Sequence, residues 1–332
     1  MRAPSIVAQV PTECVIGVDL GGTNLSAAAV DAALVVHQRT DRIVAGLELP
    51  ALLDTIASAV GELRDAVECD IDGVGFGIPC LLDDEHSLAA SSVHLPIAGL
   101  AFADVMAERI GLPVFVDNDA NLALLAEHRH GAARDERVAL MLTLGTGVGG
   151  AIMCGGELYR GAQGAAGEFG HMIVDRDGPD CGPGCPSHGC LEAFVSGSAL
   201  ARDARAVAQR DRSGALGRAL SGGSEIAGPL VSALAREGDE QALALLSALG
   251  EWLGIGLTSI VNVFNPDVVV IGGGVSGAGE LILEPARRVV ARRALAMPAA
   301  HVSIRAARHG AQAGMLGAAL FARESVQRSV TA

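Results

Sequence analysis

Cys181, Cys185 and Cys190 fall within one ten-residue stretch, CGPGCPSHGC, that also carries His188. Thiolates bind zinc strongly, and a loop of Gly and Pro can wrap them round one ion, so the spacing points to a tetrahedral metal site. A fourth ligand is then needed. His188 is within reach in the same loop. His171, in the preceding segment GEFGHMIVD (Gly167 to Asp175), would instead tie the loop to a neighbouring strand, which favours it while leaving His188 open. Glu168 stands three positions before His171.

Two glycine-rich turns carry a different chemistry. In DLGGTN, Asp19 ends an apolar run and is followed by Gly21, Gly22, Thr23 and Asn24. Without side chains at the two glycines, backbone amides can approach a phosphate closely, Thr23 adds a hydroxyl, and Asp19 could hold a magnesium ion through water. TLGTGVGG, Thr143 to Gly150, repeats the design with Gly145, Thr146 and Gly147. Two such hairpins could grip the two ends of a triphosphate. A third stretch, VFVDNDAN (Val114 to Asn121), is a buried strand that ends in Asp117, Asn118 and Asp119. Polar residues at the carboxyl end of a strand face the crevice where α/β proteins bind ligands. Asp119 there could serve as a general base and Asn118 as donor and acceptor to a hydroxyl; helix capping is the competing use of both.

The elements that would position these residues follow from periodicity. β-branched apolar runs at Cys14 to Val18, Gly73 to Ile78, Val114 to Val116, Val138 to Leu144 and Val268 to Ile271 read as interior strands. Helical spacing links Leu53, Ile56, Val60, Leu63 and Val67, and a long helix is expected from Asp239 to about Phe264. This alternation predicts an α/β protein. The echo between VIGVDLGGTNLSAAAV and ALMLTLGTGVGGAIM suggests two related domains facing each other across a cleft. The uncharged run from Val138 to Gly156 holds six glycines and two threonines arranged as strand, turn, strand, so it reads as buried sheet and not as a membrane span.

Composition excludes several classes. All 24 basic residues are arginine, and without lysine the chain has no P-loop, no protein-kinase phosphate lysine and no pyridoxal Schiff base. A net charge of -14 opposes nucleic acid and anionic membranes. Seven cysteines, three of them clustered, do not look like a disulfide framework, and no secretory signal opens the chain; the cytoplasm is the expected compartment.

As an ordered set, DLGGTN, VDNDAN, LGTGVGGAI, GEFGHM, GCLEAFVSG (189 to 197) and IGGGVS (271 to 276) resemble the ROK sugar kinases, specifically the bacterial glucokinase type. The resemblance implies a two-domain actin/hexokinase-like (ribonuclease H-like) ATPase fold with a zinc-binding loop. It implies a small domain of residues 10–120, completed by a C-terminal helix at 313–327, and a large domain of 121–312. It implies a structural Zn2+ on His171, Cys181, Cys185 and Cys190, with two extra residues between the first two cysteines and Pro186 where the family has glycine. It further implies Asn118, Asp119, Glu168, His171 and Glu192 on the sugar. Asp19, Gly21, Gly22, Thr23, Asn24, Gly145, Thr146 and Gly147 would serve the phosphates, and Gly272, Gly273 and Gly274 the nucleoside. The implied activity is ATP- and Mg2+-dependent phosphorylation of glucose at its 6-hydroxyl with Asp119 as base. The resemblance also implies a homodimer or homotetramer, while the acidic charge argues against nucleic-acid and membrane partners.

Mannose, N-acetylmannosamine, fructose and allose compete as substrates, because His94 in VHLP and Cys80 in GIPC depart from the glucokinase pattern. A polyphosphate donor competes with ATP. A sugar-sensing repressor of the same family would carry a helix-turn-helix ahead of DLGGT, and the 18 residues before Asp19 are too few for one.

Overall fold

The computed structural model describes residues 13–82, 89–91 and 95–331. His94 lies outside them. From the start, β1 (Glu13–Leu20), β2 (Asn24–Asp31) and β3 (Val36–Ile43) lead to α1 (Leu49–Ala66) and β4 (Asp70–Ile78). The short pair β5 (Leu81–Leu82) and β6 (Ala89–Ser91) follows, then α2 (Phe102–Ile110), β7 (Val114–Asn118) and α3 (Asp119–His130). Next come β8 (Val138–Leu144), β9 (Val148–Cys154) and β10 (Glu157–Leu158), and after the cysteine loop α4 (Glu192–Val195), α5 (Gly197–Arg210), α6 (Ala215–Ser221) and α7 (Gly228–Arg236). The chain closes with α8 (Glu240–Phe264), β11 (Val268–Gly272), α9 (Glu280–Arg293), α10 (Ala296–His301), β12 (Ser303–Ala306) and α11 (Ala313–Thr331). It divides into two compact units, Met1–Ala123 with Gly314–Ala332, and Leu124–Ala313.

In the first unit the strands run in the order β3-β2-β1-β4-β7, antiparallel from β3 to β1 and parallel from β1 to β7. Ile16, Val18, Val74 and Phe76 point to one face of this sheet and bury against the stripe Leu52, Leu53, Ile56, Val60 and Leu63 of α1. That is the period-2 strand pattern meeting the 3.6-residue helix pattern. The residues between them on the strands, Gly17 and Gly75, face α11. A side chain at Gly75 would stand 1.9 Å from the Ala318 carbonyl oxygen and one at Gly17 2.1 Å from that of Met315, so the close approach of this helix requires both glycines. Cys14 and Cys69 form a disulfide, Cα to Cα 5.9 Å, joining the start of β1 to the residue before β4. Composition argued against disulfides; a pair 55 residues apart leaves no spacing signal, and the parallel pairing of β1 with β4 is what brings the two together.

In the second unit the order is β10-β9-β8-β11-β12, again antiparallel from the edge to the centre and parallel beyond it. The two sheets share one topology, which is the structural counterpart of the sequence echo. The long α8 starts at Asp239, whose side chain caps Ala242 N at 2.9 Å, and ends at Asn265 in the left-handed region. It is long and apolar enough to cross a membrane, but half of its most apolar window is buried inside this unit. Leu246, Leu249, Leu253, Leu257 and Ile260 join Leu140, Leu142, Val269 and Ile271 in one core.

Candidate active site

The parallel registers place Asp19, Gly77 and Asp117 side by side at the carboxyl ends of β1, β4 and β7. Asp117 is buried and accepts the Asn118 amide at 2.7 Å and the Asn121 side chain at 2.9 Å, which fixes the strand-to-helix turn. Asn118 Oδ1 caps α3 through Ala120 N (2.9 Å) and Asn121 N (3.3 Å), and Asp119 Oδ1 also accepts Ala120 N (2.8 Å). Both residues therefore cap the helix. Each keeps an atom for other work: the second Asp119 oxygen, and Asn118 Nδ2, which reaches only the Cys80 carbonyl at 3.4 Å.

Enclosure by protein raises the Asp119 carboxyl above its ordinary value, partly offset by backbone amides. Burial, and then the charge of Asp119, lifts Asp19 to about 7. Asp19 lies against the first turn of α11, where a side chain on Gly314 would meet its Oδ2 at 2.6 Å. The positive end of that helix is a favourable neighbour for a carboxylate.

In the β1–β2 turn, Gly21 N bonds the Asn24 carbonyl at 2.9 Å and the Thr23 carbonyl takes Val44 N and Ala45 N. Among the described residues the amides of Gly22 and Thr23 have no acceptor. The β8–β9 turn in the second unit is built alike. Its carbonyls are fastened to the start of α5, Gly145 O by Gly197 N (2.7 Å) and Thr146 O by the Ser198 hydroxyl (2.8 Å), while the amides of Thr146 and Gly147 have no acceptor among the described residues. Amides held outward on an anchored turn are anion-binding groups. Gly272 pairs with Thr143, so the Gly272–Gly274 turn stands beside the end of β8. Gly273 has φ +82 and lies so near Leu144 that an added carbon would be 2.5 Å from its backbone.

The second unit also brings His171, Cys181, Cys185 and Cys190 together, with ligand atoms all within 4.8 Å of one another. His171 Nδ1 is 3.4 Å from Cys181 Sγ, and Cys185 Sγ is 3.9 Å from Cys190 Sγ. A tetrahedron with Zn–S bonds near 2.3 Å has edges of about 3.8 Å, so the donor set and its spacing fit zinc. The loop is held by pairing of Ile173 with Cys190 and by Leu191 N on the Met172 carbonyl. His188 turns away, onto Asp180 at 2.5 Å. His171 presents Nε2 on the side opposite the thiols, 3.8 Å from Glu168. Burial raises the Cys181 and Cys190 thiols, whereas the Ser187 amide lowers Cys185.

Glu192 has a contact that its sequence gives no sign of. Its Oε2 accepts the Val148 amide at 2.7 Å, and its Oε1 is 3.8 Å from Cys181 Sγ. One carboxylate thus joins the β8–β9 turn to the cysteine cluster. The anchoring roles of Gly197 and Ser198 were equally hidden, although both stand at or just beyond the end of GCLEAFVSG. Asn118, Asp119 and Asp19 sit in the first unit, and Glu168, His171 and Glu192 in the second.

A family model, the ROK family, matches residues 15–325. The chain belongs to the ROK family. The glucokinase of Streptomyces coelicolor is 37% identical over 316 residues, covering 93% of this chain and 97% of that one. An N-acetylmannosamine kinase of Salmonella heidelberg is 33% identical over 93% of this chain and 98% of its own. A ROK glucokinase from Streptomyces griseus, solved with glucose and AMPPNP, superposes with a TM-score of 0.85 at 35% identity, over 94% of this chain and 99% of that chain. The chain thus has the two-sheet α/β architecture of ROK glucokinases, the actin/hexokinase-like fold.

Proposed function

We propose that this ROK protein transfers the γ-phosphoryl group of ATP to the 6-hydroxyl of glucose. The observation that carries the reading is the full-length similarity to a glucokinase solved with glucose and AMPPNP. The two amide-lined turns and Asp119 add chemical support.

In this reading Asn118, Asp119, Glu168, His171 and Glu192 serve one sugar. Asp119 takes the proton of the attacking hydroxyl, and its raised pKa makes it a stronger base than an exposed carboxylate. His171, held through Nδ1, offers Nε2 to a sugar hydroxyl in a fixed orientation. Gly21, Gly22, Thr23, Asn24, Gly145, Thr146 and Gly147 receive phosphate oxygens on backbone amides and the Thr hydroxyls, and Gly272, Gly273 and Gly274 seat the nucleoside. That arrangement suits a chain with no lysine.

The charge of Asp119 raises the cost of ionising Asp19, and hard oxygen donors in such a pair fit Mg2+. Bound there, Mg2+ would neutralise phosphate charge, with Asp19 orienting its water shell. Zinc on His171, Cys181, Cys185 and Cys190 would be closed to substrate and would brace the loop. Cys80 is buried and its carbonyl meets Asn118 Nδ2, so it bears on which hexose fits best. The reading includes a cytoplasmic homodimer or homotetramer.

The test is ATP consumption across a panel of hexoses, native against Asp119→Asn. Glucose should be the fastest substrate, and the variant should lose about 10²- to 10⁴-fold in kcat while still binding sugar. Binding of sugar with no turnover of any hexose would overturn the kinase reading in favour of a sugar sensor. Faster turnover of N-acetylmannosamine would overturn the substrate.

A further inference from the structure

An open surface cavity of about 660 Å³, with Arg134 and Arg137 exposed at it, lies in the second unit and is lined by His128, Arg129, Arg134, Arg137, Gly155 and Gly156. It lies at the far end of the β8–β9 hairpin from the Gly145–Gly147 turn. Seven residues of strand at about 3.4 Å each separate the two by about 24 Å, so the cavity is distinct from the candidate active site.

One of the arginines is held in place by hydrogen bonds. Arg129 Nη1 donates to His128 Nδ1 at 2.9 Å and to the Gly156 carbonyl at 3.3 Å. His128 therefore carries its proton on Nε2, which donates to the Glu136 carbonyl at 3.0 Å. The pair fixes one guanidinium in the wall. The Arg137 backbone amide is held by Asp267 at 3.1 Å, while its guanidinium has no ion-pair or hydrogen-bond partner among the described residues.

Two carboxylates also line the cavity. Glu136 is engaged by Arg305 at 3.0 Å, and Asp135 is 3.7 Å from Arg134 in an exposed contact that holds it weakly. The cations of the last turn of α3, His128 and Arg129, would complement the negative end of that helix in any case. That account does not reach Arg134 and Arg137, which lie beyond the helix. In a chain of net charge -14, three guanidiniums round one cavity are a local reversal of sign.

We propose that this cavity binds a small phosphate-bearing anion, with the guanidiniums of Arg129, Arg134 and Arg137 as its donors. Forked N–H groups match phosphate oxygens in pairs, and a cavity of this size admits a phosphomonoester of a small metabolite as well as free phosphate. Bound at the base of β8 and β9, the anion would act on the hairpin that carries the Gly145–Gly147 turn at its other end.

The experiment is equilibrium binding to the full-length protein at constant ionic strength, with orthophosphate in one arm and a hexose 6-phosphate in the other. Native protein, Arg134→Gln, Arg137→Gln and Arg137→Lys are compared, each checked for an unchanged melting temperature. Each Gln variant should bind about tenfold to a hundredfold more weakly, and Arg137→Lys should recover part of the loss. A tighter phosphomonoester identifies a metabolite as the ligand, and equal affinities identify phosphate itself; both uphold the site. Absence of saturable binding, or binding that all three variants leave intact, as it would be if phosphate went only to the glycine turns, overturns the proposal.

Discussion

Asp19→Asn should stabilise the protein at pH 8 and leave it unchanged at pH 4. Burial first, and the charge of Asp119 second, lift the Asp19 carboxyl from 3.8 to about 7. A raised folded-state pKa means that the fold prefers the protonated acid. That preference contributes its full stability below the unfolded value near 4 and is lost as pH rises through about 7. About three pKa units at 1.36 kcal/mol each give a loss of up to about 4 kcal/mol by pH 8. The figure is an upper limit, because Asp19 keeps part of its surface in solvent and has the positive end of α11 beside it. Asparagine cannot ionise, so the variant escapes the loss. Urea unfolding followed by circular dichroism in EDTA, at pH steps from 4 to 8, should show the two stabilities parting progressively from about pH 4 and the gap levelling off above about pH 7. Mg2+ should close part of the gap by pairing with the ionised carboxylate. Parallel pH profiles for native protein and variant would refute the argument that Asp19 is held at an energetic cost.

Purified protein should carry about one zinc per chain by elemental analysis, and Cys190→Ser should lose it; Trp252, which stacks on Phe194 at 4.0 Å, should then report earlier melting of the second unit. Glu192→Ala strips the Val148 amide of its acceptor at a buried residue and should cost about 1–3 kcal/mol in unfolding, whereas Glu192→Gln keeps an acceptor oxygen and should cost less. Gly75→Ala should disrupt the first unit outright, since the added carbon would meet the Ala318 carbonyl at 1.9 Å. Gly61→Ala, in α1 with nothing within 4 Å, should instead raise stability by about 0.5–1 kcal/mol. Thermal melts of the two variants check the contrast.

Much of the fold was legible because its signals are local. The β-branched runs at Cys14, Gly73, Val114, Val138 and Val268 are β1, β4, β7, β8 and β11, and the expected helix from Asp239 to Phe264 is α8 to within one residue. The echo of two glycine hairpins proved to be two sheets of one topology. The cysteine loop was legible for the same reason, since three of the four candidate ligands and their turn residues lie within ten positions. What stayed hidden is what only long-range contact creates: the Cys14–Cys69 bridge, the Glu192 link to Val148, and the arginine cavity drawn from a helix end, a loop and a hairpin turn.

The lack of lysine ties these observations together. Neither glycine turn carries a cationic side chain of its own, so any anion held there would rest on backbone amides, and a turn holds its amides outward when its carbonyls are tied down. Both glycine turns meet that condition: the Thr23 carbonyl is held by Val44 and Ala45, and Gly145 and Thr146 are held by the start of α5. Asn118 and Asp119 follow the same logic, because each spends one side-chain oxygen on capping α3 and is thereby aimed. The capping that the structure shows is thus compatible with the catalytic role proposed for Asp119. The hydrogen bonds that satisfy the first amides of α3 are the ones that fix where the remaining Asp119 oxygen points, and Asp119→Asn, which keeps an oxygen for Ala120 N, would separate the cap from the proposed base.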